Sequence, residues 1–508
     1  MHHADSLLSI QHLDQLGPHA PEKAAPVGDA AVTEPVSTVQ NSGRGMVRRI
    51  LPLGLPLAVG FVAQLAISFT DAALVSRLGP DELAGVTLAL SIFSATMLFG
   101  LGIVTAVTPR LAAGYRAADT GAVRAWFVQG AWLAVLVGIL GIAVLLNTGN
   151  ILTLIGQSPR TADIAQDYNE GAAVGLPLFL LYVDARCLLT GIGRPRPATW
   201  VMLAAVPLNL ALGYALTFGA GPIPDLGVFG AGLASTLVRA FIVLAVTALL
   251  LTGRLRELGL RNAPLAPRLP LLGELLRVGS WIGVRILLGE GFLPVLAFFV
   301  GRFGADATAA HAIGLRLETL VVVFALGFSG AATTVAAWAR EDGDWRALRD
   351  LRSALLTIGV GYSAGLSVVI LASSGFITRV LFGLHDPRAE SLVHELLPLV
   401  IAYFVIDTLI TMSMGYLVGL SDTRTPTIVV GVGYWIIGLG TGVLLSELTP
   451  LGFYGLWLGV IIGGCGIGVF VFARTGWHIA ITKSTREKGH SNAEPEILGP
   501  GRRGHRNT

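Results

Sequence analysis

About a dozen stretches of this 508-residue chain are each long and apolar enough to cross a lipid bilayer, and together they fill it from Leu51 to Ala480. Roughly 18 or more residues without clustered charge read as a spanning segment. Lipid offers no hydrogen bonds, so the backbone groups of such a segment must pair within it, and a helix is the natural form. The segments lie near 51–75, 84–109, 126–146, 171–191, 199–218 and 228–251. A second six lie near 275–300, 309–337, 354–377, 396–417, 427–445 and 452–472. A β-barrel would show shorter segments of alternating polarity, and none is visible. Composition agrees: 53% of residues are hydrophobic, 13% are charged and the mean hydropathy is +0.70, too little charge for a soluble surface of this size.

The two sets of six echo each other at an offset near 225 residues, as from Leu74 to Phe299. Leu74-Val75-Ser76-Arg77-Leu78-Gly79-Pro80-Asp81 returns as Phe299-Val300-Gly301-Arg302-Phe303-Gly304-Ala305-Asp306, and Leu226-Gly227-Val228-Phe229-Gly230 returns as Leu451-Gly452-Phe453-Tyr454-Gly455. The predicted architecture is an all-α integral membrane protein with 12 transmembrane helices in two pseudo-symmetric six-helix lobes. The lobes occupy 49–252 and 275–480, joined by a cytoplasmic loop at 253–274. Disordered cytoplasmic extensions are expected at 1–48 and 481–508, where Pro, small and polar residues dominate. Two related bundles in one membrane chain suggest halves that move against each other around a shared cavity, as in secondary transporters.

Charge placement sets the expected topology. Lys and Arg crowd one set of loops, leaving only Arg77, Arg160, Arg302, Arg379 and Arg388 on the other side, so both termini are placed in the cytoplasm of a multi-pass cell-membrane protein. The loop arginines Arg254, Arg256, Arg261 and Arg268 suit lipid headgroups better than nucleic acid, and no nucleic-acid partner is expected. The two cysteines, Cys187 and Cys465, lie inside predicted spans and imply neither a disulfide framework nor a thiolate metal site. His2 and His3 are read as tail histidines rather than a metal site. No phosphate-cradling loop is present, so ATP is not the evident energy source and no cofactor is expected.

Ionisable groups at bilayer depth cost about 2.5–3.5 kcal/mol each, which makes every one a functional hypothesis. In the first segment Gln64, Ser68 and Asp71 form one stripe at i, i+4 and i+7. In the tenth, Tyr403 and Asp407 lie one turn apart with Thr408 and Thr411 nearby, an oxygen-rich patch able to hold a proton or a small hard cation. Glu290 precedes Pro294 by four residues, so a carboxylate sits beside a carbonyl that has lost its helical donor. Arg285, Arg316 and Glu318 are further cavity-lining candidates, Arg316 and Glu318 being expected on different helix faces. Asp184, Arg186 and Arg239 are expected in structural ion pairs, and His311 as a satisfied interfacial histidine.

Several motifs, taken in order, resemble the multidrug and toxic compound extrusion (MATE) family, in its NorM-like branch. They are Leu55-Pro56, Ala63-Gln64, Phe69-Thr70-Asp71, Phe99-Gly100-Leu101-Gly102, Gly175-Leu176-Pro177, Arg186-Cys187, Asn209, Ala309-Ala310-His311, Asp407 with Asp422, and Tyr434-Trp435-Ile436-Ile437-Gly438-Leu439. The resemblance covers about 51–472 and implies a V-shaped pair of lobes. It also implies antiport of Na⁺ or H⁺ against amphipathic, often cationic, organic compounds, with Na⁺ the only metal expected, and that as transported ion. Carried over by position, Asp71 and Asn209 form an N-lobe substrate or proton site, and Tyr403 and Asp407 part of a C-lobe cation site. The family's acidic position in the seventh segment falls on Gly289, with Glu290 beside it, and Gly213 stands where a polar side chain is expected.

The implied function is therefore a non-enzymatic, alternating-access exporter acting as a monomer on small organic substrates amid membrane lipid. Two alternatives stay open: a flippase for lipid-linked precursors, which would line its cavity with more basic residues, and an intramembrane transferase, which would need clustered acidic or histidine motifs near one face.

Overall fold

The computed structural model describes residues 43–220, 224–376 and 387–491, all within one unit assigned to Pro35–Thr508. The first two spans are α1 (Gly43–Val75) and α2 (Pro80–Thr105), the latter prolonged by α3 (Thr108–Arg116). α4 (Thr120–Leu145) is the third. A short α5 (Thr148–Leu154) leads to α6 (Pro159–Ala172) and α7 (Gly175–Gly191), which meet at a 48° bend and make one broken span. α8 (Arg196–Phe218) and α9 (Gly227–Leu251) complete the first set.

The seventh span is split into α10 (Leu269–Glu290) and α11 (Phe292–Val300), and is followed by α12 (Ala305–Glu341), α13 (Trp345–Ala372) and α14 (Pro387–Gly419). The eleventh is composite: α15 (Arg424–Val430), a π-helical stretch Gly431–Gly438 and α16 (Leu439–Leu448). The chain's last described element is α17 (Phe453–Ser491). Among the described residues eleven helices are long and apolar enough to cross a membrane, and the bent pair, taken as one span, makes twelve. Among the described residues there is no strand. Apolar side chains that face outward, such as Phe298 at 80% exposure, suit lipid rather than water.

Helix extends into both predicted extensions, because α1 begins at Gly43 and α17 runs to Ser491. His2, His3 and Arg379 lie outside the described residues. The 253–274 connector is shortened by the early start of α10, and it is tied down rather than loose. Gln129 donates to the Ala266 carbonyl at 3.2 Å and accepts from the Arg268 N–H at 2.7 Å, while the Trp132 indole donates to Leu265 O at 2.8 Å. These bonds satisfy a glutamine that is only 1% exposed.

The duplication is visible in backbone geometry. Gly227 and Gly452, 225 positions apart, both adopt φ 54°, a left-handed turn that glycine enters without a Cβ penalty. The lobes meet where α1 crosses α12 and α2 crosses α10. A Cβ on Gly327 would come 2.4 Å from the Ala58 nitrogen, and one on Gly102 would come 2.5 Å from the Gly283 Cα. Gly54 lies under the Phe328 ring and Gly279 against the Ile103 backbone. Shifting Gly54, Ala58, Gly102 and Ile103 by the same 225 residues gives Gly279, Gly283, Gly327 and Phe328. One crossing is thus made twice, by matching residues. The cores follow suit: Ile50 and Leu57 of α1 pack into the core of the second set, and their counterparts Leu275 and Ile282 of α10 into that of the first.

Candidate functional site: a charged cavity between two helix sets

Between the two sets lies a cavity of about 720 Å³. α1 contributes Phe61, Gln64 and Ser68, α10 contributes Arg285, Gly289 and Glu290, and α12 contributes Arg316, Glu318 and Thr319. Tyr403, Asp407 and Thr411 of α14 and Tyr434 of the π-helical stretch close the same wall. Three acids and two arginines therefore face one space, and neither arginine forms an ion pair among the described residues. Arg316 and Glu318, expected on different faces, both reach the cavity: one is exposed, the other half-buried, so they border a single stripe from its two sides.

Local structure explains how Glu290 reaches this wall. α10 stops at Glu290 and α11 starts at Phe292, so the helix breaks one turn before Pro294, whose ring cannot supply the N–H that would continue the ladder. The Leu288 carbonyl instead accepts the Trp435 indole N–H at 2.9 Å. Phe292 stacks on Tyr434 with ring centroids 5.2 Å apart, which fixes the break against the π-helical stretch. Single-turn π segments often occur at functional positions, and here the extra residue per turn aims Tyr434 at Asp407, its hydroxyl 3.3 Å from Oδ1. Tyr403 and Thr411 of the same helix line the cavity beside that carboxylate. Arg285 lies within electrostatic reach of both Glu290 and Asp407.

The N-lobe residues divide. Gln64 and Ser68 line the cavity, whereas Asp71 is 5% exposed and turned into its own helix set. Asn209 donates to Asp71 Oδ1 at 2.7 Å and Ser235 to Oδ2 at 2.8 Å. Arg239, whose guanidinium lies 4.5 Å over the Phe93 ring, adds a positive charge nearby. Asp71 and Asn209 are thus brought together as expected, but behind the cavity wall.

Asp184 and Arg186 do not pair. Asp184 Oδ1 is buried without a hydrogen-bond partner, and Arg186 sits 4.6 Å over the Phe61 ring. His311 is buried, with Nε2 3.3 Å from the Leu293 carbonyl, Nδ1 unpartnered and the ring edge-on to Trp457 at 5.5 Å. Its neighbours Ala312 and Leu315 line the cavity, but His311 itself does not.

Sequence reasoning missed Ser235 as an Asp71 ligand and Tyr434 as an Asp407 ligand. A serine or tyrosine in an apolar helix carries little signal alone. Tyr434 did stand beside a glycine-rich run and within the Tyr434–Leu439 motif of the family resemblance, but neither tied it to Asp407.

At the face carrying the described chain ends the sets are clamped together. Arg116 meets Asp342 with Nε–Oδ1 at 2.9 Å, Arg110 pairs with Glu274, and the Trp338 indole donates to Gly191 O at 3.1 Å.

The family model described as MatE matches residues 56–215 and 287–444, one block in each half. The chain belongs to the MatE family. Its members are transporters, not enzymes. A Bradyrhizobium diazoefficiens protein named "Probable multidrug resistance protein NorM" is 33% identical over 83% of this chain and 90% of its own length. A Synechocystis protein of the same name is 31% identical over 82% and 91%. Among solved structures, an outward-facing multidrug resistance MATE transporter superposes with a TM-score of 0.78 at 20% identity, covering 89% of this chain and 100% of that one. A eukaryotic MATE transporter gives 0.77 at 18% identity, over 88% and 99%.

Proposed function

We propose that this MatE protein is a secondary antiporter that exports amphipathic, cationic organic compounds in exchange for Na⁺ or H⁺ entering the cell. The observation that carries the reading is Glu290, Glu318 and Asp407 gathered on one wall of a cavity between the two helix sets. Multidrug export comes from the NorM relatives named above, which share about a third of their residues with this chain. Three acids against two arginines favour cation export over a flippase with a basic cavity.

In the proposed cycle the carboxylates hold a cationic passenger until an incoming ion or proton neutralises them. The passenger then leaves, the lobes rock about the α1–α12 and α2–α10 crossings, and the ion is released on the other side. Coupling arises because the same negative groups cannot stabilise both cargoes fully. The clamp of Arg116–Asp342, Arg110–Glu274 and Trp338–Gly191 supports an arrangement closed on the chain-end face. We take that face as cytoplasmic because its loops carry the excess Lys and Arg. The protein would then act as a monomer in the cell membrane, with lobes at 49–252 and 275–480.

Ion-driven efflux in everted vesicles tests this, comparing wild type with Glu290→Gln, Asp407→Asn and Asp71→Asn. The two cavity variants should lose most exchange. Asp71→Asn should lose less, since its carboxylate lies behind the wall. Exchange at the wild-type rate in all three would overturn the coupling site. A Na⁺ pulse that dissipates a preformed substrate gradient without a pH change selects sodium over protons.

A further inference from the structure

Beyond Arg285 the cavity continues into a smaller chamber of about 110 Å³ on the chain-end side. Its chemistry differs from that of the main space. Arg186 and Arg285 line it with several threonine hydroxyls, and no carboxylate does. Thr105, Thr190 and Thr333 already donate to the carbonyls of Gly102, Arg186 and Ser329, and the two guanidiniums are the chamber's charged donors. Arg186 is 8% exposed, and one face of its guanidinium is covered by Phe61.

Neither arginine has an ion-pair partner among the described residues. Asp184, two residues from Arg186, points elsewhere, its Oδ1 filling the space that a Cβ on Gly130 would need. Arg285 has Glu290 and Asp407 within electrostatic reach, but Arg186 has no such acid among the described residues, and a guanidinium inside a helix bundle without a counter-ion is expensive. Stacking on a ring occupies the face of the group but leaves its edge N–H donors free, in the fork that fits a planar oxyanion. A chamber of about 110 Å³ holds several waters, and so has room for a carboxylate on a short stem.

We infer that the Arg186–Arg285 chamber is an anion subsite that takes the carboxylate, or an oxyanion of similar size, of a zwitterionic amphipath whose cationic end sits among Glu290, Glu318 and Asp407. This rests on the export reading above and narrows its substrate class. The cargo carries both charges on one molecule, spaced so that Arg285 stands at the junction of the two compartments.

A matched dye pair tests it on the purified full chain: a cationic cyanine whose carboxylate ends a flexible alkyl stem and the ethyl ester of the same dye, which differ only in the carboxylate. By fluorescence anisotropy, wild type should bind the acid about tenfold more tightly than the ester. In Arg186→Gln that preference should fall to near unity, and in Arg186→Lys, which keeps the charge but loses the fork, it should return in part. Equal wild-type affinities for acid and ester overturn the subsite, whatever the variants do. Inorganic sulfate provides the second arm. Sulfate that displaces the acid but not the ester supports a carboxylate subsite. Sulfate that binds while acid and ester bind alike assigns the chamber to a free counter-anion and overturns the zwitterionic cargo. In everted vesicles, failure of an ion gradient to move either dye counts against the export reading itself. Movement of both at equal affinity counts against the inner chamber alone.

Discussion

Asp407 shows how one side chain gathers its function from distant pieces of chain. Its own helix brings Tyr403 and Thr411, and the π-helical stretch brings Tyr434. A hydrogen bond to a charged group is worth about 1.5–3 kcal/mol, or roughly tenfold or more in affinity. Tyr434→Phe should therefore raise the ion concentration for half-maximal efflux by about tenfold while the protein stays folded, which a Na⁺ or pH titration of dye efflux would read. The α14 residues were legible in the sequence because a carboxylate one turn from a phenol is conspicuous in an apolar helix. Tyr434 and Ser235 were not, since their roles depend on a neighbouring helix. Ser421 is a different case. It takes φ 62° in the turn where the first half has Gly193 at φ 77°. A Cβ in that region costs roughly 1–2 kcal/mol, so Ser421→Gly should raise the apparent unfolding temperature in detergent, less a few tenths of a kcal/mol for the freer unfolded chain.

At the level of elements, the segments were readable because length and apolarity alone define them, but their irregularities were not. The fourth span was expected as one helix over 171–191, whereas α6 and α7 meet at 48°. Asp163, Gln166, Asp167 and Glu170 hid α6 by making it look like a loop. The break at Glu290 was foreshadowed by Pro294, yet the partner that stabilises it, Trp435, belongs to the eleventh span. Trp435→Phe removes that donor and keeps an aromatic ring; it should cost about 1 kcal/mol, visible as a lower unfolding temperature with ion coupling weakened. The far end of α17 is pinned through Asp422, whose carboxylate accepts from Arg474 Nε at 2.6 Å and lies 2.9 Å from His478 Nε2. Burial alone would push that carboxyl up, but the His478 and Arg474 hydrogen bonds and charges outweigh it and hold it below the usual aspartate range. A depressed folded value gives stability that is full above the unfolded value, about 4, and lost as pH falls below it. The protection of wild type over Asp422→Asn against pepsin cleavage beside Trp477 should therefore be present at about pH 4 and lost under more strongly acidic conditions.

The assembled protein is held closed at one face by few groups. The Arg116–Asp342 pair is partly exposed, with side chains 12% and 26% accessible, and such pairs contribute up to about 1 kcal/mol. Asp342→Asn should shift the balance towards the opposite opening by a few-fold. Alkylation of a cysteine placed at Gly330, in the inner chamber, would report it as faster labelling from the chain-end side. Gly102→Val acts by a different route, since its Cβ would meet the Gly283 backbone. The lobes would be wedged apart at one of two equivalent crossings, with loss of stability and of exchange together. The duplication could be read from the sequence as a spacing, but not that the matching residues would press on each other.

Because the opening half of α1 is buried in the second core and that of α10 in the first, neither half of the chain owns a complete interior. During synthesis the first six spans must wait, with a gap where Leu275 and Ile282 will lodge, until the seventh emerges from the ribosome. Two separately expressed halves should accordingly rescue one another in the same cell, while either alone is degraded.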